Sequence, residues 1–405
     1  MIYLLRHIFC IFVYEIIFTP QDLYMDFTFS AELNMLRDMV RDFTNSEIRP
    51  LASSIDKNEE LPNELLRKIA DVGLFGTSIP EEYGGGGFGK VGFCIAQEEV
   101  SHACGSTAAM IGAHQSIGAN AILIGACEEL KKKYLPKLAS GEMIAAFALT
   151  EAEAGSDSFN LRTRAEKKGD KWIVNGSKVW ITNGAIADVY SVFARTEKGI
   201  TGFAIEKKFP GVSVGPNEKK LGIKGSVTNT LTFEDVEVPE ENMIGVDGRG
   251  FLVAMETLNS GRIGLGACCL GAAKELLEIS TVYSKQRKQF DESISKFQAV
   301  QFMLADMATA VYAMQDMVYR AASKSDAKED VTLDAAIVKL FCSETVSDVA
   351  DKALQIHGGM GFSAELPLER FYRDARILKI FEGTNEIQKL IIGRQILKQN
   401  GKWIS

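Results

Sequence analysis

The sequence predicts an α+β multidomain protein: an N-terminal helical domain, a central β-barrel and a C-terminal four-helix bundle. Apolar side chains recur at helical spacing up to residue 143 and again from residue 249. Between them, over 144–248, short β-type runs take over, broken by Gly, Asn and Pro turns. With 405 residues, 46% of them hydrophobic and 24% charged, the chain can bury the core that two or three domains need.

The helical domain, 25–143, rests on Leu33, Leu36, Val40 and Phe43, then on Leu65, Ile69 and Val72, then on Ile122, Leu130 and Tyr134. The β domain, 144–248, rests on runs such as Lys171–Gly176, Val189–Ala194, Thr201–Ile205 and Thr230–Phe233. In the bundle, 249–405, helices are expected over 250–284, 297–325 and 331–356, with a last one after Glu382. Val338, Cys342, Val349, Ala353 and Ile356 form one apolar stripe there. Residues 1–24 stand apart. Ile2–Phe18 is largely apolar but carries Arg6, His7 and Glu15, is too short for a membrane span and lacks the flanks of a secretory signal. A true start at Met25 is the preferred explanation, a peripheral apolar arm the alternative.

A net charge of -8 without a basic block speaks against nucleic-acid binding, and no segment calls for stable membrane insertion. Cys10, Cys94, Cys104, Cys127, Cys268, Cys269 and Cys342 are odd in number and form no CxxC spacing, which predicts reduced thiols and a cytoplasmic location. His7, His102, His114 and His357 are too dispersed for a metal cluster, and no metal is expected. Gly84–Val91 nearly fits a phosphate-binding loop, but Val91 stands where a hydroxyl is required and no buried strand precedes it. The run is read as a flexible loop. No βαβ alternation supports a nicotinamide fold.

The chemistry concentrates in three places. Phe381-Glu382-Gly383-Thr384-Asn385-Glu386-Ile387-Gln388 puts one acid among apolar neighbours just before a helix that Thr384 or Asn385 can cap. Burial there raises a carboxyl pKa toward working pH, which suits abstraction of a carbon-bound proton; a solvated Glu in a capping loop is the bland alternative. Phe147–Asp157 and Trp180–Gly184 offer hydroxyls and backbone donors beside apolar surface, as a flavin ring needs, and Thr150, Trp180 and Thr182 could supply them.

Taken together and in this order, these segments resemble the acyl-CoA dehydrogenase family, from about Phe27 to Lys398. Ile79–Gly84, Gly261-Arg262-Ile263, Arg287–Phe290, Phe297-Gln298, Gln301-Phe302 and Gln355–Gly359 extend the likeness. The resemblance implies FAD between barrel and bundle, with Phe147, Leu149, Thr150, Ser156, Trp180, Ile181 and Thr182 around the flavin, and Thr384 and Glu386 also at the cofactor. It implies that Arg287, Phe290, Gln298, Gln355, Gly358 and Gly359 reach the adenosine diphosphate part of FAD bound to a neighbouring subunit, making a homo-oligomer, a dimer-of-dimers tetramer, part of the site. Arg suits a pyrophosphate because it is permanently charged and bidentate.

By the same resemblance Glu382 is the base that removes the α-proton of an acyl-CoA thioester, the β-carbon passes hydride to flavin N5, a trans-2-enoyl-CoA results, and an electron-transferring flavoprotein takes the electrons. Ser156, Asn259, Arg262, Gly383 and Arg394 are the implied substrate contacts. Some relatives carry the base on the bundle's first helix, where this chain has Gly261, so a Glu at 382 is self-consistent. Two departures bear on acyl length and CoA contacts: Asp291 where Gly is common, and Asn259 where medium-chain enzymes have Asp. The closest motif likeness is to short-chain and branched short-chain members. An acyl-CoA oxidase or flavin monooxygenase on the same scaffold, and a flavin-binding protein without turnover, are the competing readings.

Overall fold

A computed structural model describes residues 28–398, so the apolar stretch 1–24, with Cys10, lies outside the described residues. The chain divides into two units between Met35 and Leu36. In the first, the Ser30 side chain accepts the Leu33 N–H at 3.3 Å and starts α1 (Ala31–Phe43).

The second unit continues with α2 (Ala52–Asn58), α3 (Asn63–Asp71), α4 (Gly89–Ser101), α5 (Gly105–Gly112), a π-helical stretch Ala113–Ala119, α6 (Asn120–Gly125) and α7 (Glu128–Ala139). The glycine run before α4 is no loose loop. Gly86, Gly87 and Phe88 donate to the carbonyls of Gly76, Ile79 and Thr77 at 2.9, 3.0 and 3.1 Å. Asp326 then accepts the Lys90 and Val91 N–H groups at 2.6 and 3.0 Å, so a carboxylate already occupies the positive end of α4. In the π-helical stretch, His114 accepts the Ala145 N–H at Nδ1 (2.9 Å) and donates from Nε2 to Leu138 O (3.1 Å), tying the helical domain to the first strand. Burial pushes its pKa down to about 4, which keeps the ring neutral as these bonds require.

The strands are β1 (Ala145–Ala148), β2 (Arg164–Lys168), β3 (Lys171–Thr182), β4 (Val189–Thr196), β5 (Gly199–Glu206), β6 (Val212–Val214), β7 (Thr228–Pro239) and β8 (Met243–Ile244). They run β6-β7-β3-β2-β4-β5-β8, with β1 parallel on β4. The expected barrel is therefore an open path. Its ends are edges of three and two residues, and the chain after β6 leaves the sheet: Gly225 N–H is held by Ser106 and Leu221 O by Arg373.

The last third holds α8 (Gly250–Gln286), a short hairpin of β9 (Lys288–Gln289) and β10 (Glu292–Ser293), α9 (Gln298–Asp326), α10 (Thr332–His357), α11 (Gly359–Phe362), α12 (Leu368–Ile377) and α13 (Asn385–Lys398). The three long helices start and stop within two residues of their expected bounds, because their periods are sustained over many turns. Ile263, Leu270, Met307, Met314, Val318, Val338, Cys342 and Val349 form the buried centre. α12, too short to stand out by periodicity, buries Leu368, Phe371 and Ala375 in that same core. Cys94, Cys104, Cys127, Cys268, Cys269 and Cys342 are free thiols. Among the described residues no helix is long and apolar enough to cross a membrane.

Candidate active site

Glu382 lies in the tight turn between α12 and α13, with φ 56, a left-handed backbone that a non-glycine residue adopts only when its surroundings enforce it. The enforcement is visible. Gln388 donates to the carbonyls of Gly383 and Glu382 at 2.9 and 3.4 Å, and Arg262 Nε donates to Glu382 O at 3.2 Å. The Thr384 hydroxyl accepts the Ile387 N–H at 3.4 Å, so Thr384 rather than Asn385 caps α13. Asn385 does different work: its carbonyl oxygen accepts Lys339 Nζ (2.7 Å) and Ser343 Oγ (3.1 Å), and its amide donates to Glu344 (2.8 Å). This buried network anchors the turn to α10.

Glu382 Oε2 is buried and makes no hydrogen bond. A Cβ at Gly261 would stand 2.3 Å from that oxygen, so the missing side chain on α8 is the seat the carboxylate occupies. Desolvation raises the Glu382 pKa to about 7, against the opposing pull of Arg262, Lys339 and Lys90. Neither Glu382 N–H nor Gly383 N–H has a partner among the described residues.

Facing this turn is the rim of the β domain. Trp180 sits where β3 slips register against β7, between Lys178 and Ile181, with φ 61 and 60% of its surface exposed. Such a bulge re-aims a side chain. Lys178, fully buried, donates to Glu151 Oε1 at 2.7 Å and to Leu149 O at 3.0 Å, while Glu151 also accepts the Arg162 and Thr163 N–H groups at 2.6 and 3.0 Å. The pair fixes Thr150 beside Trp180 and Thr182, and no single motif in the sequence signalled it, since Lys178 reads as an ordinary strand lysine.

Between rim and turn lies a cavity of about 1250 Å³. Its walls include Phe147, Leu149, Thr150, Ser156, Trp180, Ile181, Thr182, Arg262, Glu382, Gly383, Thr384 and Arg394, twelve of the residues singled out in the sequence. The Thr150 and Thr182 hydroxyls make no hydrogen bond among the described residues, and a large ring, Trp180, is held open to the cavity. Apolar walls with uncommitted donors suit the flavin of FAD.

The other expected residues lie elsewhere. Asn259 stands behind the wall, bridging Arg262 Nη1 (2.9 Å) and the Thr332 hydroxyl (3.1 Å). Glu386 is exposed on α13. Arg287, Phe290, Gln298, Gln355, Gly358 and Gly359 are exposed at the bundle tip, where Tyr283 and His357 stack with centroids 4.2 Å apart and bring the ends of α8 and α10 together. Phe290 is 88% exposed, and Asp291 takes φ 63, a conformation that explains why Gly would be at ease there. The fold also draws His102 toward Glu275 and Glu278, though Arg49 holds both Glu275 oxygens at 2.5 and 3.0 Å.

An apolar cavity with flavin-compatible donors and a buried carboxyl oxygen suits a redox enzyme that removes a proton from carbon. Profiles described as acyl-CoA dehydrogenase N-terminal, middle and C-terminal domain match residues 30–142, 146–236 and 248–397. A Clostridium acetobutylicum protein named acyl-CoA dehydrogenase, short-chain specific, is 45% identical over 92% of this chain and 100% of its own length. A chain solved in work on the electron transferring flavoprotein of Acidaminococcus fermentans is 42% identical with TM-score 0.91, covering 92% of this chain and 100% of that one. An acyl-CoA dehydrogenase from Bacillus anthracis, solved with FAD, is 40% identical with TM-score 0.87, covering 95% and 68%. The chain belongs to the acyl-CoA dehydrogenase family, and it is an FAD-dependent oxidoreductase of that class.

Proposed function

We propose that the chain dehydrogenates a short-chain or branched short-chain acyl-CoA between Cα and Cβ, with Glu382 as the α-proton base. One observation carries this reading: a carboxyl oxygen buried at a cavity wall without a protein partner, its pKa raised to about 7 by desolvation. Such a group is ionised for a useful fraction of molecules at neutral pH yet still basic enough to take a proton from carbon. The unpartnered N–H groups of Glu382 and Gly383 are suited to receive the thioester carbonyl, a kind of contact worth about 3 kcal/mol as charge develops on oxygen. Arg262 holds the turn by its carbonyl, and Ser156, Gly383 and Arg394 border the same cavity as candidate substrate contacts. FAD, when bound, supplies the two-electron acceptor, with Phe147, Leu149, Thr150, Trp180, Ile181, Thr182 and Thr384 along its walls.

Arg287, Phe290, Gln298, Gln355, Gly358 and Gly359 are proposed to reach the cofactor of a neighbouring copy in a tetramer, a reading supported by their exposure away from the chain's own cavity. The short-chain assignment is supported by the Clostridium relative, and an electron-transferring flavoprotein as acceptor by the Acidaminococcus work. Cytoplasmic residence agrees with the free thiols. The test is anaerobic bleaching of the flavin across straight and branched acyl-CoAs from about four to about sixteen carbons. Fastest bleaching at the short end is expected, and a maximum among long chains overturns the short-chain reading. Rapid reoxidation of the reduced enzyme by oxygen overturns the choice of acceptor in favour of an oxidase.

A further inference from the structure

Three cations stand around the base, each carried by a different helix. Lys90 on α4 is 9% exposed, Arg262 on α8 4% and Lys339 on α10 0%. Every one of these head groups ends on neutral oxygens. Lys90 Nζ donates to Ser260 Oγ, Lys339 Nζ to Asn385 Oδ1 at 2.7 Å, and Arg262 to Asn259 Oδ1 and Glu382 O at 2.9 and 3.2 Å. Among the described residues none of the three has a carboxylate oxygen within 4.0 Å. Asp326, the other acid near Lys90, gives both oxygens to the start of α4, and Glu386, the other acid near Lys339, is exposed. Burial pulls the pKa of all three down, and the acid common to all three that opposes this is Glu382. Buried charge without an ion-pair partner is costly, and a wall of three positive groups against one negative group is therefore built to receive negative charge.

Lys90 is the member that no motif accounts for. Its ammonium lies 4.7 Å over the ring of Phe93, a cavity-lining residue, and its hydroxyl partner Ser260 immediately precedes Gly261, the seat of Glu382 Oε2. We propose that Lys90 is a positioning residue for proton abstraction: from behind Ser260 and Gly261 its charge keeps Glu382 in the carboxylate form and stabilises the negative charge that passes to the ligand. The charge balance is direct. When the α-proton moves from carbon to Glu382 Oε2, the carboxylate becomes neutral and the thioester acquires its charge, so the three cations then face the ligand. The inference rests on the base role of Glu382 given above.

The groups that face Glu382 are Lys90 on α4, Arg262, Cys268 and Cys269 on α8, and Lys339 on α10; those that face Lys90 are Cys94, Asp326, Lys328 and Glu382. The test is Lys90→Met in FAD-loaded enzyme, read by infrared difference titration of the Glu382 carboxyl with Glu382→Gln as blank, and by the pH profile of anaerobic bleaching. The carboxyl midpoint, about 7 in the parent, is expected to rise by about half a unit to one unit, and the bleaching plateau to fall about tenfold. FAD content and Tm stay near the parent values, and Lys90→Arg restores the midpoint. A packing role alone lowers Tm or FAD content and leaves the midpoint where it was, which overturns the proposal. Should Lys90→Met not fold, Lys90→Gln keeps a polar head for Ser260 and must give the same shift, or the proposal is lost. The titration needs no turnover: parent enzyme that no acyl-CoA bleaches removes the functional reading, whereas a flat titration in enzyme that does bleach removes only this proposal.

Discussion

Glu151 and Glu382 both stand by the cavity with a buried lysine in their surroundings, yet their carboxyls are shifted in opposite directions. Burial pushes Glu151 up, but the charge of Lys178 at 2.7 Å and hydrogen bonds from Lys178, Thr163 and Arg162 outweigh it and hold the acid below its ordinary range. At Glu382 desolvation wins over Arg262, Lys339 and Lys90, because none of these cations touches the carboxyl oxygens. A carboxylate with both oxygens hydrogen-bonded to the protein serves as a structural joint, and one held near cations without contact is suited to act as a base. The difference between contact and proximity separates the acid that holds the site together from the acid proposed to work in it.

The largest effect that could break this contrast is expected from Glu382→Gln. The variant should keep FAD and lose bleaching by acyl-CoA by about 10²–10⁴-fold in anaerobic stopped flow; near-parental bleaching would place the base elsewhere. Lys178→Met should cost about 3–5 kcal/mol of stability by leaving Glu151 buried without its counter-charge, with FAD released on gel filtration. Adding Glu151→Gln should recover much of the loss, and no recovery would mean that Lys178 acts through packing instead.

Gly261→Ala sharpens the other side. Its Cβ would overlap the place of Glu382 Oε2, so bleaching should slow by about 10²-fold with FAD retained, whereas an unchanged rate would show that the carboxylate does not depend on that seat. Arg287→Ala should weaken FAD retention and assembly together without altering the rate per bound flavin; an intact yellow oligomer would count against a shared cofactor site. The smallest effect concerns pH. Because the folded Glu382 pKa is raised from 4.5 to about 7, its stabilising contribution is full below about pH 4.5 and lost as pH rises through about 7. Glu382→Gln should therefore raise Tm by a few degrees at pH 8 and not at pH 4, and bleaching by the parent should climb through about pH 7.

Much of the fold was legible because the signals were long. Periods sustained over 26 to 37 residues defined α8, α9 and α10 to within two residues, whereas α12, at 10 residues, left no such trace. The open sheet was not legible either, since closure depends on where the chain after β6 is anchored, and Ser106 and Arg373 lie far from it in sequence. At the site, Glu382, Thr150, Trp180 and Thr182 stood out because local context, apolar neighbours or strand hydroxyls, carries chemistry by itself.

What the sequence determined alone was therefore the three-part texture, the family and the acid proposed as the base, all properties of residues near one another along the chain. Only the tertiary structure decided which cations surround Glu382, that Gly261 makes room for its carboxylate, and that Glu151 is a joint. Electrostatic energy depends on distance and solvation, and residues separated by more than a hundred positions, such as Gly261 and Glu382, acquire both only when the elements that carry them pack.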